Sequence, residues 1–462
     1  MVLENLQKIS PFRLSSLLRL QKNPKLALQL FQNPNPNSTT SISKPFRYSL
    51  LSYDLIITKL GKAKMFNEME QILNQMNQET RFVPKEIIFC NVISFYGRAR
   101  LCQEAVKIFD RITSFRCERT IKSLNTLLNA LLKCKEFGKI REIYLNINQY
   151  GVVADVCTYN VLINVCCCCD EFNDAWNLFV EMPKKGIRPN DVTFATLISA
   201  LCLNGKVDEA FRLKEDMVKK YGLKPNAYAY TSLIKGLCKV NKVDLAFKIK
   251  DEMVLEMKVR LDTAVYSTLI SGLFRAGRKG EVVGVLEEMR KNGCKPDTVP
   301  YNAMISGYCN EKDFESAFGV LKEIVEKGCK PDVISYNVII SGLCKGGQLQ
   351  EALDLFEDMP KRDCVPDIVT YRTIFDGLCD KSDFDEAEFI LDEMLFKGHV
   401  PHVSSVNKLI DGLCREGKLK LLGSVLNSLA NRNIVDLSTW QTVITNVCPK
   451  AELSNSFERL VI

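Results

Sequence analysis

Histidine is nearly absent from this chain. It has two in 462 residues, His399 and His402, both in one short turn. Two ligands do not close a zinc site, which takes three or four. Long apolar runs are missing too, and none approaches the roughly 20 residues that a membrane-spanning helix needs. Neither sign of charge is in large excess: 62 Lys and Arg stand against 55 Asp and Glu, for a net charge of +7. A balance this mild is compatible with a polyanionic partner but does not identify one. Carboxylates are plentiful, yet sets such as Glu351, Asp354, Glu357 and Asp358 fall on one solvated helix face. The reading is therefore of a protein that is not an enzyme, with no cofactor, no small-molecule substrate and no membrane.

Cysteine, in contrast, is abundant at 19 residues, and its spacing argues against both disulfides and metal. Cys167, Cys202, Cys238, Cys309, Cys344, Cys379, Cys414 and Cys448 recur at one position of a repeat, and Cys117, Cys294, Cys329 and Cys364 at another. Zinc ligands come in pairs a few residues apart. Cysteines a whole repeat apart read as small apolar packing residues in a reducing compartment. The run Cys166 to Cys169 is contiguous, but a helix would spread it around its axis.

The stretch 333–367 shows what repeats. Tyr336, Ile339, Ile340, Leu343 and Cys344 lie at helical spacing, followed by Gly346 and Gly347 as a helix stop. Leu349, Ala352, Leu353, Phe356 and Met359 form a second apolar face, which Pro366 should keep from running on. Asp332 and Asp367 stand where helix N-caps are wanted. Equivalents of Tyr336 are Tyr53, Phe89, Leu124, Tyr159, Phe194, Tyr230, Tyr266, Tyr301, Tyr371, Val406 and Trp440, spaced by 34 to 36 residues. A small residue recurs in the second helix: Ala105, Ala175, Ala210, Ala246, Ala317, Ala352 and Ala387. A hairpin of this size cannot bury its faces alone, so neighbouring units must stack. The expected fold is all-α, a right-handed α-solenoid (superhelix) of about 12 helix-turn-helix repeats of ~35 residues.

Three regions follow. Residues 1–49 hold a degenerate or targeting region and a polar linker, 50–436 hold eleven repeats, and 437–462 hold a truncated repeat that caps the array. Up to Phe31 the only acidic residue is Glu4, against Lys8, Arg13, Arg19, Lys22 and Lys25, which fits a transit peptide. Residues 24–31 also look like the second helix of a decayed unit.

The phrases Tyr301-Asn302-Ala303-Met304-Ile305-Ser306-Gly307-Tyr308-Cys309 and Gly293-Cys294-Lys295-Pro296-Asp297 resemble the pentatricopeptide repeat family, plant type, P class. The likeness covers roughly residues 50–450. A tetratricopeptide array, the rival, has a 34-residue period and different first-helix marks. The resemblance implies single-stranded RNA bound along a concave face, one base per unit. That is a mode in which a helical repeat reads a base with two or three side chains.

In that family two positions carry the code: the residue after the aromatic anchor and the last residue of the unit. Here they pair Asn125 with Asp155, Asn160 with Asn190, Thr231 with Asp262, Ser267 with Asp297, Asn302 with Asp332, Asn337 with Asp367 and Asn407 with Asp436. The resemblance assigns U to Asn with Asp, a pyrimidine favouring C to Asn with Asn, and G to Thr or Ser with Asp. The longest continuous block, 227–367, then spells GGUU. Departures are Asp54 with Lys85, Cys90 with Thr120, Ala195 with Asn226, Arg372 with His402, and Gln441, with Lys122, Ser404 and Ser438 departing at the unit's second position. That second position is otherwise apolar, as in Ile87, Val192, Val299, Ile334 and Val369, and resembles the family's wedges between bases. Lys62, Arg98, Lys133, Lys239, Arg275, Lys345 and Arg415 form a row at the end of the first helices, placed to meet phosphates or to complement helix C-termini.

Some relatives append a deaminase module, which needs His-x-Glu and Cys-x-x-Cys; the C-terminus shows neither. The expected function is an RNA-binding adaptor in organellar RNA metabolism, in the mitochondrion or alternatively the chloroplast. Its partners would be an organellar transcript and processing or translation factors. The competing reading is a protein-binding helical scaffold without RNA specificity.

Overall fold

The computed structural model describes residues 9–34, 46–258 and 260–430. Among them it forms 24 α-helices and no strand. The chain divides into two compact units, Met1–Ala229 and Tyr230–Ile462. Each is a stack of antiparallel helical pairs. The first helix of a repeat packs on its own second helix and on the first helix of the next repeat, as Thr298–Asn310 does with Phe314–Glu326 and with Val333–Gly346.

The helices start where side chains can satisfy their first N–H groups. Asp155, Asn190, Asp332 and Asp367 each form a capping box with Thr158, Thr193, Ser335 and Thr370. Between first and second helix one residue turns left-handed. It is Gly205, Gly277, Gly347 or Gly417 in some repeats and Lys64, Arg100, Lys135, Asp170, Asn241, Lys312 or Ser382 in others.

The anchors are the core. Tyr53, Tyr159, Tyr266 and Tyr371 are fully buried. Buried tyrosine hydroxyls usually find a partner, although that of Tyr53 has none among the described residues. Tyr159 and Tyr371 donate to Glu181 and Glu393 of their own second helices at 3.2 and 2.7 Å, and Tyr266 accepts from Asn292 at 2.9 Å. The small residues of the second helices, from Ala105 to Ala387, are likewise fully buried.

Consecutive first helices approach through a glycine. A Cβ on Gly342 would lie 2.6 Å from the Cβ of Cys309, and one on Gly272 2.6 Å from the Cys238 sulfur. This explains the periodic cysteine: a small, polarizable side chain fits against the next unit's missing Cβ. Burial holds these thiols protonated, pushing Cys238 up to about 11 and Cys379 up to about 12.

Four sequence expectations change. Gly346 lies inside its helix, pressed against the Phe314 ring, and Gly347 alone makes the left-handed stop. Pro366 does not end the second helix, which stops at Lys361 with Asp363 left-handed just beyond. In that helix Leu355 is buried, whereas Leu349 and Leu353 are only partly so. Finally, Cys102 and Cys134 are disulfide-bonded, with Cα atoms 6.6 Å apart. Neither belongs to the periodic positions. Stacking brings the start of one second helix beside the end of the next first helix, a contact that a separation of 32 residues conceals.

At the N-terminus, Pro11–Leu20 and Pro24–Gln32 form a helical hairpin packed on Leu50–Lys62. Ser15 bonds Ser52 across that joint at 2.9 Å. Residues 1–8, most of the polar linker and the truncated repeat 437–462 lie outside the described residues.

Candidate nucleic-acid interface

The first helix of each repeat carries the residue after the anchor, and the cap of the next first helix carries the repeat's last residue. Folding brings these together across thirty residues. Asn125 donates from Nδ2 to Asp155 Oδ1 at 2.8 Å, Asn160 to Asn190 at 3.1 Å, Asn302 to Asp332 at 3.3 Å and Asn337 to Asp367 at 3.2 Å. The cap oxygen thus orients a carboxamide while it holds a helix N-terminus.

The pair of Ser267 with Asp297 behaves differently. Ser267 donates to Ala264 O within its own helix at 3.0 Å, while Asp262 and Asp297 cap Val265 and Val299, each at 3.0 Å. Among the described residues, Ser267 and Asp297 are not bonded to each other. Asn407 is on Val403–Arg415, but Asp436 lies outside the described residues.

Sequence reasoning missed a third member of the site. Thr158 and Thr193 donate to the Oδ1 atoms of Asn125 and Asn160 at 2.8 and 2.6 Å. These are the hydroxyls of the capping boxes, so the spacing Asp-x-x-Ser/Thr was the available signal. Both also bond their caps, whereas in the second unit Ser335 and Thr370 bond their caps alone. There the Oδ1 atoms of Asn302 and Asn337 are buried without a hydrogen-bond partner among the described residues. Thr298 adds a bond to Asp332 Oδ2 at 3.0 Å. Burial pushes the Asp332 carboxyl up, but the hydrogen bonds from Ser335, Asn302 and Thr298 outweigh it and hold the group below the usual carboxylate range. Asp367 is lowered the same way by Thr370, Asn337 and Val369.

The second-position residues remain in solvent despite being apolar. Ile87, Val192, Val299, Ile334 and Val369 are all at least 42% exposed and share one position of the repeat. Leu51 and Tyr228 belong to the same series and are exposed as well. Ile334 and Val369 flank a cleft of about 490 Å³ whose lining also includes Asn337, Asp367 and Lys345. Two exposed apolar side chains, a bonded carboxamide–carboxylate pair and a cation therefore line one cleft.

Lys62, Arg98, Lys133, Lys239, Arg275, Lys345 and Arg415 are exposed in the last turns of first helices. Arg275 also donates to the Cys238 carbonyl at 3.2 Å, so helix capping and exposure coexist. Arg415 is ion-paired with Asp411.

Comparison with known proteins gives concordant results. Profiles described as the PPR repeat family match residues 119–168, 154–203, 189–239, 296–345 and 331–380. A pentatricopeptide repeat domain matches 248–311, and PPR repeat matches 87–117, 228–256 and 369–399. A putative pentatricopeptide repeat-containing protein of Arabidopsis thaliana is 53% identical over 153 residues, 33% of this chain and 32% of that protein. A second Arabidopsis protein of that description, named as mitochondrial, is 34% identical over 123 residues, 27% of this chain and 25% of its own length. The matched stretch thus spans a third or less of either relative. Among solved structures, the pentatricopeptide repeat protein PPR10 of maize, in complex with an 18-nt psaJ RNA element, aligns with 98% of this chain and 69% of its own. The TM-score is 0.61 at 21% identity, a likeness of fold.

Proposed function

The chain belongs to the pentatricopeptide repeat family, and we propose that it is a P-class, sequence-selective adaptor for single-stranded RNA in organellar RNA metabolism. One observation carries this: carboxamide–cap pairs recur at a fixed repeat position beside exposed apolar walls. Helix capping accounts for the Asp and Asn caps, but not for a bonded asparagine thirty residues earlier, nor for valine and isoleucine left in water. The RNA-bound relative of the same fold and the relatives named as mitochondrial support the same reading, with the mitochondrion as the compartment.

A carboxamide held by a carboxylate offers a donor and an acceptor to a pyrimidine edge, and a short hydroxyl leaves room for a purine. Repeats 227–262 to 333–367 then read GGUU. The test is competition binding with GGUU- and GGGG-centred RNAs. Asn302→Ser with Asn337→Ser should move preference toward GGGG by ~1–3 kcal/mol per base, the scale of a bidentate base contact. A double variant that keeps the original preference with its fold intact sinks the base assignment, and a measured preference for peptide over RNA would favour the scaffold reading.

A further inference from the structure

Repeat 368–402 has Arg372 where repeat 333–367 has Asn337, and the pairing with His402 has no place in the code. The side chains around Arg372 suggest what it does. Its Nε donates to the Val400 carbonyl at 2.8 Å, which anchors the guanidinium at the unit's end. Asp376, one turn further along the helix, would ordinarily capture an arginine at this spacing. Here it is engaged elsewhere: it accepts from Ser405 Oγ and lies 3.4 Å from His402 Nδ1. Among the described residues, the two terminal nitrogens of Arg372 make no hydrogen bond or ion pair. Val369 supplies an apolar wall, 51% exposed, while the next wall position holds the short, exposed Ser404.

We propose that Arg372 is a base-reading residue that selects guanine, so that repeat 368–402 extends the recognised block from GGUU to GGUUG. The choice follows from the fork. With Nε tethered, two parallel N–H groups remain, and guanine O6 and N7 are two adjacent acceptors that match them. Adenine sets an amino donor beside N7, and uracil sets an N–H between its acceptors; both oppose a cation that only donates. Cytosine has adjacent acceptors but a smaller ring, and a slot with serine for one wall favours the larger base.

The inference rests on the proposed RNA reading, and the test separates the two. Four RNAs differing only in the base after GGUU are titrated at fixed salt against wild type, Arg372→Ala and Arg372→Lys. Wild type should prefer G by about tenfold or more. Arg372→Ala should bring G down to the level of the other three. Arg372→Lys should keep the charge and the overall affinity but lose the preference, since an ammonium lacks the planar fork. An equal loss for all four RNAs in Arg372→Ala would make the residue a phosphate contact, no change would leave it a tether to Val400, and a preference for C would reject guanine; each overturns the proposal. Scanning the GGUU bases with the fifth held constant isolates the parent reading. If those bases matter and the fifth does not, only the Arg372 assignment fails.

Discussion

Asn302 and Asp332 are hydrogen-bonded at 3.3 Å although they sit on consecutive first helices thirty residues apart. The same Asp332 Oδ1 accepts from the Ser335 backbone N–H at 2.8 Å and from its hydroxyl at 2.9 Å. One oxygen therefore starts a helix and positions the Asn302 carboxamide, and a substitution can separate the two roles.

Asp332→Asn is that substitution. Asparagine caps a helix about as well as aspartate, and Asn190 does so within this protein, bonded to Asn160. Urea titration should show a change within about 0.5 kcal/mol, against a loss of about 1 kcal/mol for Asp332→Ala. RNA binding should shift from U toward C at the third base of GGUU. A stable variant with unaltered preference would leave Asp332 as a cap alone.

Acid should weaken the second unit through the same carboxylates. Asp332 and Asp367 have folded-state values below the usual range. Their contribution is complete above the unfolded value, near 3.9. It falls away as pH drops from there through the depressed folded value. Wild type compared with Asp332→Asn/Asp367→Asn by urea titration between about pH 5 and 2 should show a stability difference that shrinks in acid. Parallel curves would remove these carboxylates from the acid response.

Salt tests the cationic row. Lys239→Ala, Arg275→Ala and Lys345→Ala together should make the slope of log affinity against log salt shallower by about 2, given ~0.7 per phosphate on single strands. An unchanged slope assigns these residues to helix termini.

Two glycines should respond oppositely to the same methyl group. Gly342→Ala meets Cys309 at 2.6 Å and should cost about 1–3 kcal/mol. Gly319→Ala has nothing within 4 Å in a helix interior and should gain about 0.5–1 kcal/mol. Urea midpoints measure both, and equal effects would show that first helices are not in close contact at Gly342.

Much of this was legible in the sequence because it is local and repeated. Tyr336, Ile339, Ile340 and Leu343 declare their face by spacing, and Asp332 and Asp367 declare themselves as caps. What stayed hidden depends on stacking. Gly346 looks like a stop until Phe314 of the previous repeat is placed against it, and Cys102 finds Cys134 only through the next repeat. Pro366 misled for a different reason: the left-handed Asp363 had already ended the helix. The site fell between these cases. Its residues were identifiable by register, but the Thr158 and Thr193 hydroxyls read as caps alone until the fold set them against Asn125 and Asn160.

The bond from Asn302 to Asp332 also decides what can be transplanted. Asp332 owes its position to the helix it caps, through Ser335. A graft cut at the sequence period, 298–332, would carry the Asn302 carboxamide and its carboxylate partner but leave behind the hydroxyl and backbone that aim them. The portable piece runs from Thr298 past the joint to Ser335, and a chimaera spliced inside a first helix, after that turn, should keep its base preference where one spliced at the joint would lose it.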